Sequence, residues 1–187
     1  MDEAYYHDGM RELQDRFDTR QLADRLAERL SRTAFSEEDR TLIEGACFFF
    51  LASADTAGQP DCSYKGGLPG FVRVTGPSEL SFRSYDGNGM FRSLGNLQVN
   101  PRVGLLFIDF EKPRRLRVLG AAALSFDPQP MVRVRAEQIF PNCPRYIHKM
   151  KVLEHSAYAG ENPPVPAWKK MPQFNEVLPR NDPARQG

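Results

Sequence analysis

Between residues 47 and 140 the chain is a run of short apolar segments cut by glycine and proline, and few folds accommodate that texture. Segments 47–54, 62–65, 71–75, 80–84, 102–110, 116–126 and 131–140 read as strands. Turn signals separate them at Asp55-Thr56-Ala57-Gly58, Gly66-Gly67-Leu68-Pro69-Gly70, Gly76-Pro77-Ser78 and Glu111-Lys112-Pro113-Arg114. In the last segment Val132, Val134 and Ala136 alternate with Arg133, Arg135 and Glu137, so one face is buried and the other wet. Six or so strands with few helices between them favour an antiparallel barrel or sandwich over a parallel α/β sheet. The expected fold class is therefore mainly β: a six-stranded antiparallel barrel with flanking helices.

The flanks read differently. Residues 9–30 are helical in pattern: Met10, Leu13 and Phe17 share a face, and Leu22, Leu26 and Leu30 recur after Asp18-Thr19. Ser36 is an N-cap with Asp39 three residues on, a variant of the capping box, and Gly45 stands where a C′ glycine would end that helix. Residues 160–187 carry Pro163, Pro164, Pro166, Pro172, Pro179 and Pro183, which argues against regular structure. Trp168, Met171, Phe174, Val177 and Leu178 call for that segment to wrap over the barrel or a partner subunit. The organisation expected is a single domain: helices over 1–45, the barrel over 46–159 and a wrapping tail over 160–187.

Composition excludes several functions. At 187 residues, 41% hydrophobic and 26% charged, the chain is globular rather than disordered. A net charge of +1 without a polybasic run argues against a nucleic-acid partner. No apolar segment reaches the ~18–20 residues of a membrane span. Met1-Asp2-Glu3-Ala4-Tyr5 lacks the positive and apolar regions of a signal peptide, and Cys47, Cys62 and Cys143 make no disulfide framework, so a cytoplasmic location is expected. No metal site is expected: Cys143 and His148 supply two ligands where four are usual.

Two stretches carry chemistry. Asp86-Gly87-Asn88-Gly89-Met90 leads into Phe91-Arg92-Ser93 and a helix closing at Asn96–Pro101, ahead of the apolar run 104–108. An arginine fork and a hydroxyl at a helix mouth suit a phosphate monoester, because the helix N-terminus adds free N–H groups and partial positive charge. The second stretch is Lys65-Gly66-Gly67 with Gly70, Phe71, Val72, Arg73 and Val74. Glycines there let a flat ring approach the backbone, and they equally suit an ordinary hairpin turn. Arg83 and Ser84 end the strand before the loop, and Arg115 opens another. Each arginine, Arg92 included, also reads as a solvated charge.

The stretch from Asp61 to Gly120 resembles the FMN-binding half of the pyridoxamine 5′-phosphate oxidase family, the flavin split barrels. The resemblance implies a six-stranded antiparallel FMN-binding split barrel and a homodimer with FMN at its interface. By that resemblance Arg92 is the phosphate arginine, with Ser93 standing where the family has a lysine. Arg83 and Ser84 fall at flavin-contacting positions, and Lys65, Gly66, Gly67 and Phe71–Val74 line one side of the ring, where Tyr64 and Lys65 stack on it or polarise it. Arg115 takes the place of a flavin-contacting glutamine. One phosphate site and no motif for a second imply FMN rather than FAD.

The likeness covers roughly residues 46–126, loosely to 151, and stops short of the substrate half, because the family's closing Arg-x-His pair is missing. Phe140-Pro141-Asn142-Cys143-Pro144-Arg145-Tyr146-Ile147-His148-Lys149 remains. It reads either as a short helix that puts Arg145 and His148 on one face as catalytic candidates, or as a structural turn with exposed basic side chains. The function implied is an FMN-dependent oxidoreductase of a small-molecule substrate other than pyridoxamine phosphate. The alternative is a non-catalytic flavin- or haem-binding module with His148 or His155 as axial ligand.

Overall fold

The computed structural model describes residues 5–85, 87–160 and 163–186, so residues 1–4, and Asp86 of the loop before Arg92, lie outside it. It divides into two compact units, Met1–Lys151 and Val152–Gly187.

In the first unit β1 (Phe48–Ala54), β2 (Pro60–Gly66), β3 (Val72–Gly76), β4 (Glu79–Arg83), β5 (Arg102–Asp109), β6 (Arg114–Ser125) and β7 (Met131–Asn142) form one sheet, ordered β2-β1-β5-β6-β7-β4-β3. Every neighbouring pair is antiparallel. Seven strands pair where six were expected, since every apolar segment finds a neighbour.

The alternating residues point into one core: Phe49 and Leu51, Val72 and Val74, Leu80 and Phe82, Leu105 and Phe107, Leu116 and Val118, Val132 and Val134 are all buried. Phe49 on β1 lies 4.9 Å, centroid to centroid, from Phe82 on β4, four places away in the sheet. Flat strands four places apart would be about 19 Å apart, so the sheet curls round its core as a barrel does. Gly120 marks a bulge between β6 and β7, where an added Cβ would meet the Arg135 carbonyl at 2.1 Å. Glycine is the residue that spacing admits.

Helix α3 (Glu37–Gly45) starts with the expected capping box, Asp39 N–H on Ser36 Oγ and Ser36 N–H on the Asp39 carboxylate. Its end differs from expectation: Gly45 is the last helical residue, and extended Ala46 caps the helix without a left-handed glycine. One helical turn apart, Arg40 donates to the Val74 carbonyl at 2.8 Å and Glu44 accepts from the Val74 N–H at 3.1 Å. The helix thereby satisfies backbone groups that edge strand β3 would otherwise leave open.

The pattern over 9–30 resolves into two helices, α1 (Asp8–Arg16) and α2 (Arg20–Leu30). Between them Asp18 is left-handed at φ 52°, and the Thr19 and Asp18 N–H groups return to the Gln14 and Asp15 carbonyls. That is a Schellman end built on aspartate, a residue that tolerates this conformation better than most.

The second unit is shorter and corrects the expectation for residues 160–187. Helix α5 (Pro172–Asn175) and 3₁₀ turns at Ala167–Lys170 and Pro183–Gln186 form despite the prolines, which occupy helix starts at Pro172 and Pro183. Lys169, buried, pairs with Asp182 at 2.8 Å, and Asn175 donates to the Lys169 and Ala184 carbonyls.

Candidate functional site: a cationic helix mouth

Helix α4 (Arg92–Val99) buries Ser93, Leu94 and Leu97 against the barrel. Its N-cap is Phe91, left-handed at φ 49°, with no side-chain capping bond. A bulky residue in that region costs on the order of 1–2 kcal/mol, a strain that often marks a functional turn. Among the described residues no side chain accepts from the first-turn N–H groups of Arg92, Ser93 and Leu94, so none of these residues compensates this end of the helix dipole.

Strand β2 completes the mouth. Asp61, Ser63 and Lys65 share one face at period two, opposite Ser53, Leu51 and Phe49 of β1. Lys65 Nζ donates to Ser93 Oγ at 3.1 Å, and Arg92 Nε lies 3.4 Å from Asp61 Oδ1. Burial lowers the Lys65 ammonium below its ordinary 10.5, with Asp61 acting in the opposite direction. Further along α4, Asn96 donates to Ser53 Oγ at 3.1 Å, which fixes the helix on β1. Two cations, a hydroxyl and uncapped helical N–H groups in one place are the donor set that holds a phosphate or another tetrahedral oxyanion.

The other residues singled out in the sequence are placed as follows. Gly66 and Gly67 do approach rings, but those of their own chain: added Cβ atoms would meet Tyr64 at 2.7 Å and Phe71 at 2.5 Å. Val72 and Val74 are in the core, Phe71 stacks on Phe49, and Arg73 is exposed beside Gly70. Arg83 lies over the Tyr85 ring at 5.4 Å, and Ser84 N–H bonds the Pro130 carbonyl. No described hydrogen bond or ion pair links Arg83 or Ser84 to Arg92. Arg115 sits opposite Asn142 on β6 and β7, and its Nε and the Asn142 Oδ1 are buried without partners.

Of the two conformations its sequence allows, the segment after β7 adopts the turn and not the short helix. Residues 144–147 form a turn, closed by Ile147 N–H on the Pro144 carbonyl with Tyr146 at φ 69°, and no helix places Arg145 and His148 on one face. Instead Arg145, two residues on, holds the Cys143 thiol below the ordinary 9.0, with Arg115 adding a weaker effect. Among the described residues no cluster of three His, Cys, Asp or Glu could hold a metal, and no helix is long and apolar enough to cross a membrane.

One part of the sheet's outer face, on β1 and β2, is aromatic. Phe48, Phe50, Tyr64 and Phe110 form an aromatic cluster, with Phe48 stacked on Tyr64 at 5.4 Å and on Phe110 at 5.9 Å. Tyr64 is 62% exposed. Farther along the face a groove of about 530 Å³ includes Ala52, Gly104 and Leu119 in its lining and is flanked by the Arg102–Glu137 ion pair.

Residues 35–163, more than half of the chain, match the family model described as pyridoxamine 5′-phosphate oxidase. The chain belongs to that family. Among solved structures it is similar to a candidate pyridoxamine 5′-phosphate oxidase from Lactobacillus delbrueckii, at 22% identity and TM-score 0.50 over 58% of this chain and 95% of that one. It is also similar to HupZ of Group A Streptococcus, at 17% identity and TM-score 0.48 over 63% and 99% of the two chains. HutZ, a haem storage protein of Vibrio cholerae, matches at 18% identity and TM-score 0.42 over 57% and 94%. Likenesses this distant speak to fold alone. No curated protein matches the sequence.

The role of Asp61 and the α4 contact to Ser53 are not evident from sequence alone. The period-two set Asp61, Ser63, Lys65 was a visible signal, but only the β1–β2 register says that it faces α4.

Proposed function

We propose that the protein is an FMN-dependent oxidoreductase that works as a cytoplasmic homodimer on a small molecule other than pyridoxamine 5′-phosphate. The observation that carries this is the donor set of Lys65, Arg92 and Ser93 at the uncapped mouth of α4, in a chain of the pyridoxamine 5′-phosphate oxidase family. These residues fit a flavin mononucleotide at its phosphate end, and among the described residues the second phosphate of FAD has no comparable donor set. The orphaned Arg115 Nε–H adds a donor suited to a carbonyl oxygen, where negative charge on a reduced ring would be welcome. Arg83, Ser84 and the backbone of Gly66, Gly67 and Phe71–Val74 are proposed to complete the surround.

Bound FMN would supply the hydride or electron chemistry. The chain's own residues anchor the phosphate, orient the attached ring and keep water from it. Tyr64, exposed on an aromatic cluster with the half-buried Phe48 and Phe50, supports a second copy covering this part of the sheet. Arg145 and His148, exposed beyond β7, are candidates for a substrate's anionic or polar groups. No Arg-x-His pair occurs in the 187 residues, which supports a substrate other than pyridoxamine phosphate. Titration of apoprotein with FMN, followed by light scattering, tests the reading. Saturable binding to a dimer is expected, and a flavin-bound monomer would overturn the shared site.

A further inference from the structure

We infer that the α1–α2 hairpin is an exchanged dimer arm, whose apolar stripe covers the β1–β2 aromatic patch of a second copy. This rests on the homodimer proposed above and assigns the surfaces that form it.

Helices α1 and α2 are nine and eleven residues long. Isolated helices shorter than about 12–15 residues are marginal in water, so packing has to sustain these two. One protomer supplies little of it: among the described residues α1 buries none of its own and α2 buries only Ala27. Tyr6 Oη donates to the Ala23 carbonyl at 2.9 Å, and Arg11 pairs with Asp24 at 2.7 Å. Those bonds tie the helices to each other without covering the stripe. Met10, Leu13, Phe17, Leu22, Leu26 and Leu30 stay exposed, from 38% at Leu30 to 66% at Phe17. Half-exposed side chains of this size leave on the order of 500 Å² of apolar surface. A stable interface takes about 600–1,000 Å² from each partner, so the stripe brings much of that share and the patch adds to it.

The root of the hairpin selects the partner. Tyr5, three residues before α1, meets Phe140 edge-on at 6.4 Å, and Arg32, two residues after α2, bridges Ile139. Both ends of the hairpin are thus held on β7. Phe140 ends a row that crosses the outer face of the sheet: Tyr64, Phe50, Leu106, Arg117 and Phe140 are successive register partners on β2, β1, β5, β6 and β7. Their strand neighbours Phe49, Leu105, Leu116 and Ile139 lie in the core, so the row faces away from it. Patch and hairpin therefore stand at opposite ends of one continuous surface. A two-fold axis through the middle strand, β5, turns that row onto itself and brings the hairpin end of each copy to the Tyr64 end of the other. Arg117, the one charged residue of the row, then lies against aromatic rings, which a guanidinium accepts.

A lipid surface is the other occupant that suits an amphipathic stripe. Over residues 8–30 five arginines stand against six acidic residues, so the hairpin lacks the positive excess that anionic lipid attracts.

The test uses full-length wild type, Leu13→Glu/Leu26→Glu on the hairpin and Tyr64→Lys on the patch, with assemblies weighed by native mass spectrometry. All three substituted positions are exposed, so the barrel keeps its core. Wild type should be a dimer, and each variant should dissociate at least tenfold more readily. Mixing the two variants should restore a heterodimer, because one of its two contacts is then unaltered and the other pairs glutamate with lysine. If the hairpin packs on another hairpin, on lipid or on its own chain, mixing restores nothing and the inference fails. A hairpin variant that dimerises as tightly as wild type also overturns it, and leaves the homodimer standing. A monomeric wild type removes both. Should a variant fail to fold, amide exchange over residues 8–30 of the wild type is followed on dilution. Protection should fall at least tenfold as dimer gives way to monomer, and unchanged protection refutes the exchanged arm.

Discussion

Replacing Asp61 by Asn should tighten FMN binding, which is unusual for the loss of an ion pair at a binding site. In the structure Asp61 holds Arg92 at 3.4 Å and faces the same helix mouth as Lys65. It therefore competes with a phosphate for the guanidinium and repels the phosphate directly. Two unit charges in contact are worth about 1 kcal/mol in a water-like dielectric, and physiological salt screens part of that. A dianion beside this half-buried carboxylate then loses roughly 1 kcal/mol, so Asp61→Asn should bind FMN about five times more tightly. Arg92→Ala should act in the opposite direction. It removes a charged hydrogen bond worth ~1.5–3 kcal/mol and leaves Asp61 unmasked, for a loss of roughly 10- to 150-fold. Adding Asp61→Asn to Arg92→Ala should recover part of that loss, and by more than it gains in the wild type, since the carboxylate is then unpaired. Calorimetric titration of the four apoproteins at low and moderate salt provides the cycle. If Asp61→Asn weakens binding as much as Arg92→Ala does, then Asp61 orients the arginine rather than competing for it, and the reasoning fails.

Three other outcomes are expected. Phe49→Ala should destabilise the protein by ~3–5 kcal/mol in urea unfolding, as for a large buried aromatic, because Phe49 touches Phe71, Phe82 and Phe107 where the sheet curls on itself; a loss under ~1 kcal/mol would deny that closure. Cys143 should be alkylated by iodoacetamide faster than the equally exposed Cys62 near pH 7, because its thiol is held below 9.0 by Arg145 and keeps thiolate to lower pH; equal rates, or no slowing in Arg145→Ala, would contradict this. Pyridoxamine 5′-phosphate with excess FMN and oxygen should give no efficient formation of pyridoxal phosphate, and turnover near ~1 s⁻¹, within the ordinary enzyme range, would show that other residues replace the Arg-x-His pair.

Much of the barrel was legible in the chain because strand alternation is a local signal. Val132, Val134 and Ala136 against Arg133, Arg135 and Glu137 declare both the strand and its buried face, and Ser36 with Asp39 declares the start of α3. What escaped depends on partners distant in sequence. Glycine pairs admit any close neighbour, so Gly66 and Gly67 could not say that the neighbours are Tyr64 and Phe71. Gly66 and Gly67 after it suggest a ring beside Lys65, whereas the β1–β2 register turns it toward Ser93, 28 residues on. Asp18 hid a helix end that glycine would have advertised, and the cysteine–arginine turn after β7 mimicked a proline-started helix. Arg92 was recognised at the helix mouth, but its carboxylate partner, 31 residues earlier, was not.

The central claim is that the α4 mouth holds the phosphate of a flavin mononucleotide. Heat release of whatever small molecule co-purifies with the protein, with its absorption spectrum and mass, tests this most directly. The account predicts a chromophore absorbing near ~450 nm, as flavins do, with the mass of FMN and a single phosphate. A band near ~400 nm, as haem gives, or a flavin that carries adenine, would contradict it.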